Sequence, residues 1–425
     1  MAPLRPSLHN RIVITGLGVI SSSGIGREAF WEAVRDGRSG ISYVSRFDAS
    51  GLYCRIAGEI SDEDFDPTDY MHRSEAKRCG RFVHYAVAAA EHAVRDAEID
   101  LGSVDAFRKG AACGTSVAGS GNITDEIYRT YFEQGPEACG LLDHLELAPH
   151  AATSRLMIRY SMKGPSSSLG TGCCSGLEAI SYGANVLRQG AANVMLVGGS
   201  ESVLSEFGMS LLSLIDIMTH RNEEPEKASR PYDATRDGIV VSEGAGVLVL
   251  ETAAHAMDRG AHIYAEVVGH GCANEGQHLA KADPSGEELA SAFRQALMEA
   301  RLSPDDIDYV CAHGIGNPEY DAADMRAIKL VLGDRAYNIP VSSIKGATGQ
   351  PFAAGGPWQT VAACMTLETG IVPPTINYEH PDPECDLDCV PNRARTARVD
   401  TAMINSHSFG GTHSALIVRR FDPAA

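Results

Sequence analysis

Short apolar and β-branched runs alternate along this chain with stretches of helical periodicity. Strand-like runs fall at 11–19, 111–115, 194–199 and 246–251, and again at 265–269, 307–312, 339–343 and 402–406. Between them the pattern predicts a helix through Trp31 to Val34, an alanine-rich helix over 86–97, and a helix after residue 175. On that last helix Leu177, Ile180, Ala184 and Leu187 share one face. Strands alternating with helices predict an α/β protein with at least partly parallel sheets. The two parts of the chain rhyme. Each opens with a strand running into a glycine turn, at 11–18 and 265–271, and each sets a reactive residue just after a buried strand. An internal duplication is expected, with 1–255 and 256–425 as its halves and a helix-like connector over 251–262.

Composition narrows the class. The chain has 425 residues, 44% hydrophobic and 21% charged, enough to bury a large core as two domains or lobes. Its formal net charge of -19 argues against a nucleic-acid backbone as partner, because such partners need a basic face. The Cys 11 are scattered, and Cys385 and Cys389 have no neighbouring histidine, so no metal site is expected. Free thiols, no apolar leader before Arg11 and no run of transmembrane length predict a cytoplasmic protein without a membrane partner. Gly16 and Gly18 hint at a dinucleotide fingerprint. Ser21 stands where the third glycine belongs, so a plain strand and turn is expected there.

The chemistry-bearing residues sit at strand ends. Cys173, in Gly-Thr-Gly-Cys173-Cys-Ser-Gly, lies where a strand turns into a helix. A thiol there meets the positive end of the helix dipole and free N–H groups, so a lowered pKa is expected. A buried structural thiol is the alternative that the residues alone leave open. His313 follows the strand at 307–312 and precedes glycine, where a ligand has backbone room. Lys345 follows 341–344 in the same way, and a solvated loop charge is its alternative. Gly114-Thr-Ser116-Val-Ala118 lacks the last glycine of a serine-hydrolase elbow and is set aside.

Together these segments resemble the β-ketoacyl synthases, and most closely the ketosynthase subunit of type II polyketide synthases. The likeness runs nearly end to end. It includes the opening at 11–18, residues 229–246, the Cys173 and His313 motifs, Pro373-Pro-Thr-Ile-Asn377, residues 382–388 and Asn405-Ser-His-Ser-Phe-Gly-Gly411. The resemblance implies a thiolase-like fold of two duplicated halves in five αβαβα layers. It implies acyl transfer from an acyl carrier protein to Cys173, with no cofactor beyond the carrier's phosphopantetheine arm. It also implies a homodimer or, alternatively, a heterodimer with a chain-length-factor subunit.

Carried over residue by residue, Cys173 is the nucleophile and Cys174 a small-residue position. The N–H groups of Cys173 and Phe409 form the oxyanion hole, with Phe409 also a gate. His313 matches one family histidine, Lys345 the lysine that orients the second, and Asp321 and Asp324 keep the family's acidic spacing. Lys77, Arg78 and Arg221 fall where the family meets its acidic carrier, against the alternative of ordinary surface charge.

The pattern breaks at Gln350, which stands where the family has its second histidine. Gln359 replaces a glutamate, Ile315 and Asn317 replace turn hydroxyls, and Ala280 replaces a threonine near His278. An amide donates a hydrogen bond but cannot titrate. Changes grouped in the extender pocket around an intact nucleophile predict an enzyme that loads an acyl chain and finishes it without malonyl decarboxylation. In that reading His313 is the general base, its pKa near neutrality. The alternatives are a decarboxylating chain-extender with Gln350 as oxyanion donor, and a non-catalytic chain-length partner, which the retained Cys173 disfavours.

Overall fold

The computed structural model describes residues 8–118 and 121–424; the segment ahead of them, expected to carry no leader, lies outside the described residues. The first half supplies strands β1 (Ile12–Ser21), β2 (Lys109–Gly114), β3 (Ser166–Leu169), β4 (Val194–Glu201) and β5 (Gly244–Thr252). The second supplies β6 (Ala265–Asn274), β7 (Tyr309–Cys311), β8 (Val341–Ser342), β9 (Thr401–His407) and β10 (Thr412–Arg419). The helices that matter for the site are α1 (Arg27–Asp36), α2 (Arg81–Asp96), α3 (Ser175–Arg188), α4 (Ala253–Asp258), α5 (Glu287–Ala300), α6 (Pro318–Leu332), α7 (Lys345–Thr348) and α8 (Gly355–Thr369).

Hydrogen bonds order these strands β8-β7-β9-β10-β6-β1-β5-β4-β2-β3. Outward from the centre, the first half reads first, fifth, fourth, second, third, and the second half repeats that order. The directions repeat too. β2 is parallel to β3 and β4, β4 antiparallel to β5, and β5 antiparallel to β1. β7 is parallel to β8 and β9, β9 antiparallel to β10, and β10 antiparallel to β6. The halves join where Ile12–Ile14 pairs antiparallel with Ala265–Val267. The expected duplication is therefore written in the hydrogen bonding.

Burial sets the layers. α3 and α8 lie between the two sheet halves, in a core that holds Leu177, Ile180, Ala184 and Leu187 of α3 with Trp358 and Val361 of α8. The predicted helical face is thus the buried one. α2 covers the outer face of the first half, with Tyr85 and Ala89 against Val194 and Val249. α5 and α6 cover the second, with Phe293 and Ile328 against Met403 and Ile417. The result is the thiolase-like sequence of five layers. Among the described residues no helix is long and apolar enough to cross a membrane.

Two expectations need correction. β1 does not end at its glycines but continues to Ser21. A Cβ on Gly16 or Gly18 would lie 2.2 or 1.9 Å from the carbonyls of Ala93 and Ala89, so these glycines let α2 approach. Gly269 and Gly271 do the same for α5, at 2.2 Å from Ala296 O and 1.9 Å from Ala292 O. Glycine spacing that reads as a turn is a packing groove in both halves. The sequence reading also passed over β10, whose apolar run Ala415–Val418 closes the second half.

Candidate active site

Cys173 sits in a single 3-10 turn, Gly172–Cys174, that runs straight into α3. Gly172 has φ +63, and a Cβ there would lie 1.9 Å from Ser408 Oγ. Glycine therefore permits both the turn and the close approach of the 408 segment. The Cys173 thiol is 3% exposed and shares an apolar cluster with Ile315, Tyr320, Phe352 and Phe409. Burial pushes its pKa up to about 12, against the favourable charge of Lys345. This direction is opposite to the lowered pKa expected from the helix end, and desolvation of the thiolate is its largest cause. Cys174 is held by backbone carbonyls, its thiol donating to Ser406 O at 3.3 Å and Thr412 O at 3.2 Å.

Gln350 points into the site. Its backbone bridges Val240 and Ser242, which fixes the chain, and its Nε2 donates to Cys173 Sγ at 3.3 Å. Its Oε1 is buried without a partner.

His313 and Lys345 come together as well, but not as expected. Lys345 Nζ donates to the His313 carbonyl at 2.6 Å, lies 3.4 Å from His313 Nδ1, and donates to Gln359 Oε1 at 3.2 Å. It orients His313 rather than the residue in the second histidine's place, because Gln350 turns from the end of α7 toward the thiol. Nor is Lys345 a solvated loop charge, since it is buried at 2% exposure. With Gln359 where the family has a carboxylate, the ammonium has no acidic partner among the described residues, and burial draws its pKa down to about 8.

Burial and then the Lys345 charge push the His313 imidazole well below its ordinary value. The expected base near neutrality is therefore a neutral ring. The loop bearing it is tied down by α6. Asp324 Oδ2 accepts from Gly314 N and the Tyr232 hydroxyl, and Asp321 accepts from the N–H groups of Ile315, Gly316 and Tyr232. Asn317 caps α6.

The proposed oxyanion hole is partly occupied by the protein itself. Cys173 N donates to Ser408 Oγ at 3.1 Å, while the Phe409 N–H has no acceptor among the described residues. Phe409 is half-buried, edge-on to Tyr320 at 5.6 Å. Lys77, Arg78 and Arg221 are all exposed, as a docking patch requires. Arg221 is engaged with Asp237 and the Thr235 carbonyl.

Sequence reasoning missed His407 and His413. They are cross-strand partners at the end of the β9–β10 hairpin. His407 stacks on His313, ring centroids 5.2 Å apart and planes 7° apart, and His413 meets His407 edge-on at 4.9 Å. The available signal was their symmetric spacing about Gly410, three residues on either side. Two residues equidistant from a tight turn face each other across a hairpin.

Comparisons with known proteins find relatives along nearly the whole chain. Residues 9–256 match the β-ketoacyl synthase N-terminal domain and 264–379 its C-terminal domain. The 3-oxoacyl-[acyl-carrier-protein] synthase 2 of Coxiella burnetii is 37% identical over 410 residues, which cover 96% of this chain and 98% of that protein. The tetracenomycin polyketide synthase ketoacyl synthase alpha subunit of Streptomyces glaucescens is 38% identical, covering 97% of each. Among solved structures, the AntDE:AntF complex of a type II polyketide synthase acyl-carrier protein with its ketosynthase bound to the hexaketide matches with TM-score 0.88. It is 32% identical and covers 97% of this chain and 99% of that one. The ishigamide ketosynthase/chain length factor gives TM-score 0.89, 31% identity and coverage of 97% and 99%.

Proposed function

The chain belongs to the β-ketoacyl synthase family, an acyltransferase of the 3-oxoacyl-[acyl-carrier-protein] synthase type, and we propose that it loads an acyl chain on Cys173 and finishes it without decarboxylating a malonyl thioester. The observation that carries the reading is the Gln350 amide on the Cys173 sulfur at 3.3 Å. It fills the second histidine's place with a group that donates but cannot take a charge.

The substrate arrives on the phosphopantetheine arm of an acyl carrier protein, which docks on the patch that includes Lys77, Arg78 and Arg221, and the enzyme works as a dimer. A relative whose ketosynthase is held by its acyl-carrier protein and another paired with a chain length factor support both expectations.

Loading is a thioester exchange. As the Cys173 sulfur bonds the acyl carbon, the carrier's C–S bond breaks and the thiol proton passes to the departing carrier thiolate. The raised thiol pKa works against free thiolate, the attacking form, so the proton must leave as the new C–S bond forms rather than before it. The intermediate oxyanion sits on the N–H groups of Cys173 and Phe409, which requires Ser408 Oγ to release the former. The second step is attack on acyl-Cys173 by a carbon of the same chain, giving cyclisation, or by an alcohol or amine. Chain extension by decarboxylation is the competing reading, favoured by the amide donor that Gln350 keeps in the site.

The deciding assay offers malonyl-carrier protein and measures acetyl-carrier protein, with Gln350→His alongside. No conversion by the unaltered enzyme, with acyl-Cys173 still forming from an acyl-carrier protein, is the expected outcome. Rapid conversion would mean that it extends chains.

A further inference from the structure

The second step needs a group that takes a proton, and neither resident of the expected pair is suited to it. Gln350 cannot titrate. A proton on His313 would place a second positive charge within 3.4 Å of the Lys345 ammonium in a dry site. The adjoining imidazole has the opposite surroundings. His407 is 1% exposed, and its Nε2 lies 3.6 Å from Asp324 Oδ1. Both of its ring nitrogens are buried with no hydrogen-bond partner, although buried polar atoms are nearly always paired.

Its place in the chain ties it to the nucleophile. Ser406, before it, donates to the Cys173 carbonyl at 3.1 Å, and Ser408, after it, accepts from the Cys173 N–H. The remaining groups around the ring are His313 and Tyr320 on one side and His413 on the other, with Asn405 behind it bonded to Asp324. His413 in turn reaches the carboxylate of Glu275 at 3.1 Å, and that side chain is buried as well. Among the described residues no three His, Cys, Asp or Glu side chains converge to hold a metal ion.

Resting on the function proposed above, we infer that His407 is the second imidazole of this active site, binding and deprotonating the nucleophile that attacks acyl-Cys173. Asp324 offsets the charge that His407 acquires. The nucleophile, a hydroxyl, amine or enolisable carbon, gives its proton to a His407 nitrogen as it bonds the acyl carbon. The C–S bond to Cys173 breaks, and the imidazolium returns the proton to the sulfur. His407 thereby supplies, from the β9–β10 hairpin, the titratable group missing at position 350.

The test separates the two steps. Unaltered enzyme, His407→Phe and His407→Gln are charged from an acyl-carrier protein, and formation and loss of acyl-Cys173 are followed by intact mass across a pH series. Both variants should load within about twofold of the unaltered enzyme. Each should release the chain roughly 100-fold more slowly, with a pH profile of altered shape. Unchanged release, or loading and release falling together in both variants, overturns the assignment. If the unaltered enzyme instead decarboxylates malonyl-carrier protein, the non-decarboxylating reading fails alone, and His407 is judged by the same loss on that reaction. An unaltered enzyme that never loads overturns both.

Discussion

The two halves share one strand order and hold different chemistry at matched positions. In the first half the 3-10 turn before the central helix is Gly172–Cys174; in the second it is Phe352–Ala354. Both open on a residue of positive φ, Gly172 at +63 and Phe352 at +47. At the middle position of the turn the first half carries Cys173 and the second Ala353. The middle parallel strands differ in the same way, β4 ending in Glu201 and β9 in His407. Glu201 is satisfied by Thr115 Oγ1 and the N–H groups of Ser116 and Val117, and burial lifts its pKa to about 7. The His407 ring nitrogens have no hydrogen bond, and the Asp324 carboxylate lies 3.6 Å away. The halves share a strand order, and their matched strand ends differ: a hydrogen-bonded carboxylate in the first and an imidazole without hydrogen bonds in the second.

The largest expected break is Cys173→Ala, which makes the first turn as inert as the second. Acyl loading followed by intact mass should vanish, and turnover should fall by at least about 10³-fold. Full turnover in this variant would sink every catalytic version of the function.

Stability tests the seam between the matched turns. A Cβ on Gly176 would lie 2.1 Å from the Ala353 carbonyl, whereas one on Gly356 would meet the Leu177 side chain at 2.5 Å. Backbone cannot retreat and a leucine can shift. Gly176→Ala should therefore cost about 2 kcal/mol or more in denaturant unfolding, and Gly356→Ala should cost less.

The third break concerns Lys345. Its folded-state pKa, about 8, lies below the ordinary 10.5. Between those values the unfolded chain holds a proton that the folded chain has shed, so unfolding free energy rises with pH across that window and the benefit is lost below it. Compared with Lys345→Met, the unaltered chain should gain on the order of 3 kcal/mol from pH 8 to 10.5. Gln359→Glu, which restores an acidic neighbour, should shrink the gain. Equal pH dependence in all three proteins would show that the ammonium is not desolvated as described.

Much of this was legible in the sequence. The duplicated strand pattern, the α3 face and the elements bearing Cys173, His313 and Lys345 follow from periodicity and strand-end placement. The misreadings have one cause, which is burial. Gly16 and Gly18 looked like a turn because their neighbours on α2 are remote in sequence. The thiol and imidazole were assigned exposed-site pKa values, and in a dry site desolvation moves both. His407 was invisible because a lone histidine signals nothing until the hairpin sets it against His313 and Asp324.

The smallest effect lies on the surface, where the comparison is between cations of one patch. Lys77 and Arg78 are exposed and form no ion pair among the described residues, whereas Arg221 is held near Asp237 at 3.7 Å and by the Thr235 carbonyl. A free cation gives its full field to an acidic carrier protein, while one beside a carboxylate gives less and must abandon that partner to bind. Lys77→Glu and Arg78→Glu should each raise KM for the carrier by about fivefold, with kcat unchanged and the penalty shrinking as salt is added. Arg221→Glu should act more weakly. A larger effect at Arg221 than at Lys77 would place the carrier on the 220–237 loop, and equal indifference at all three would leave them as ordinary surface charge.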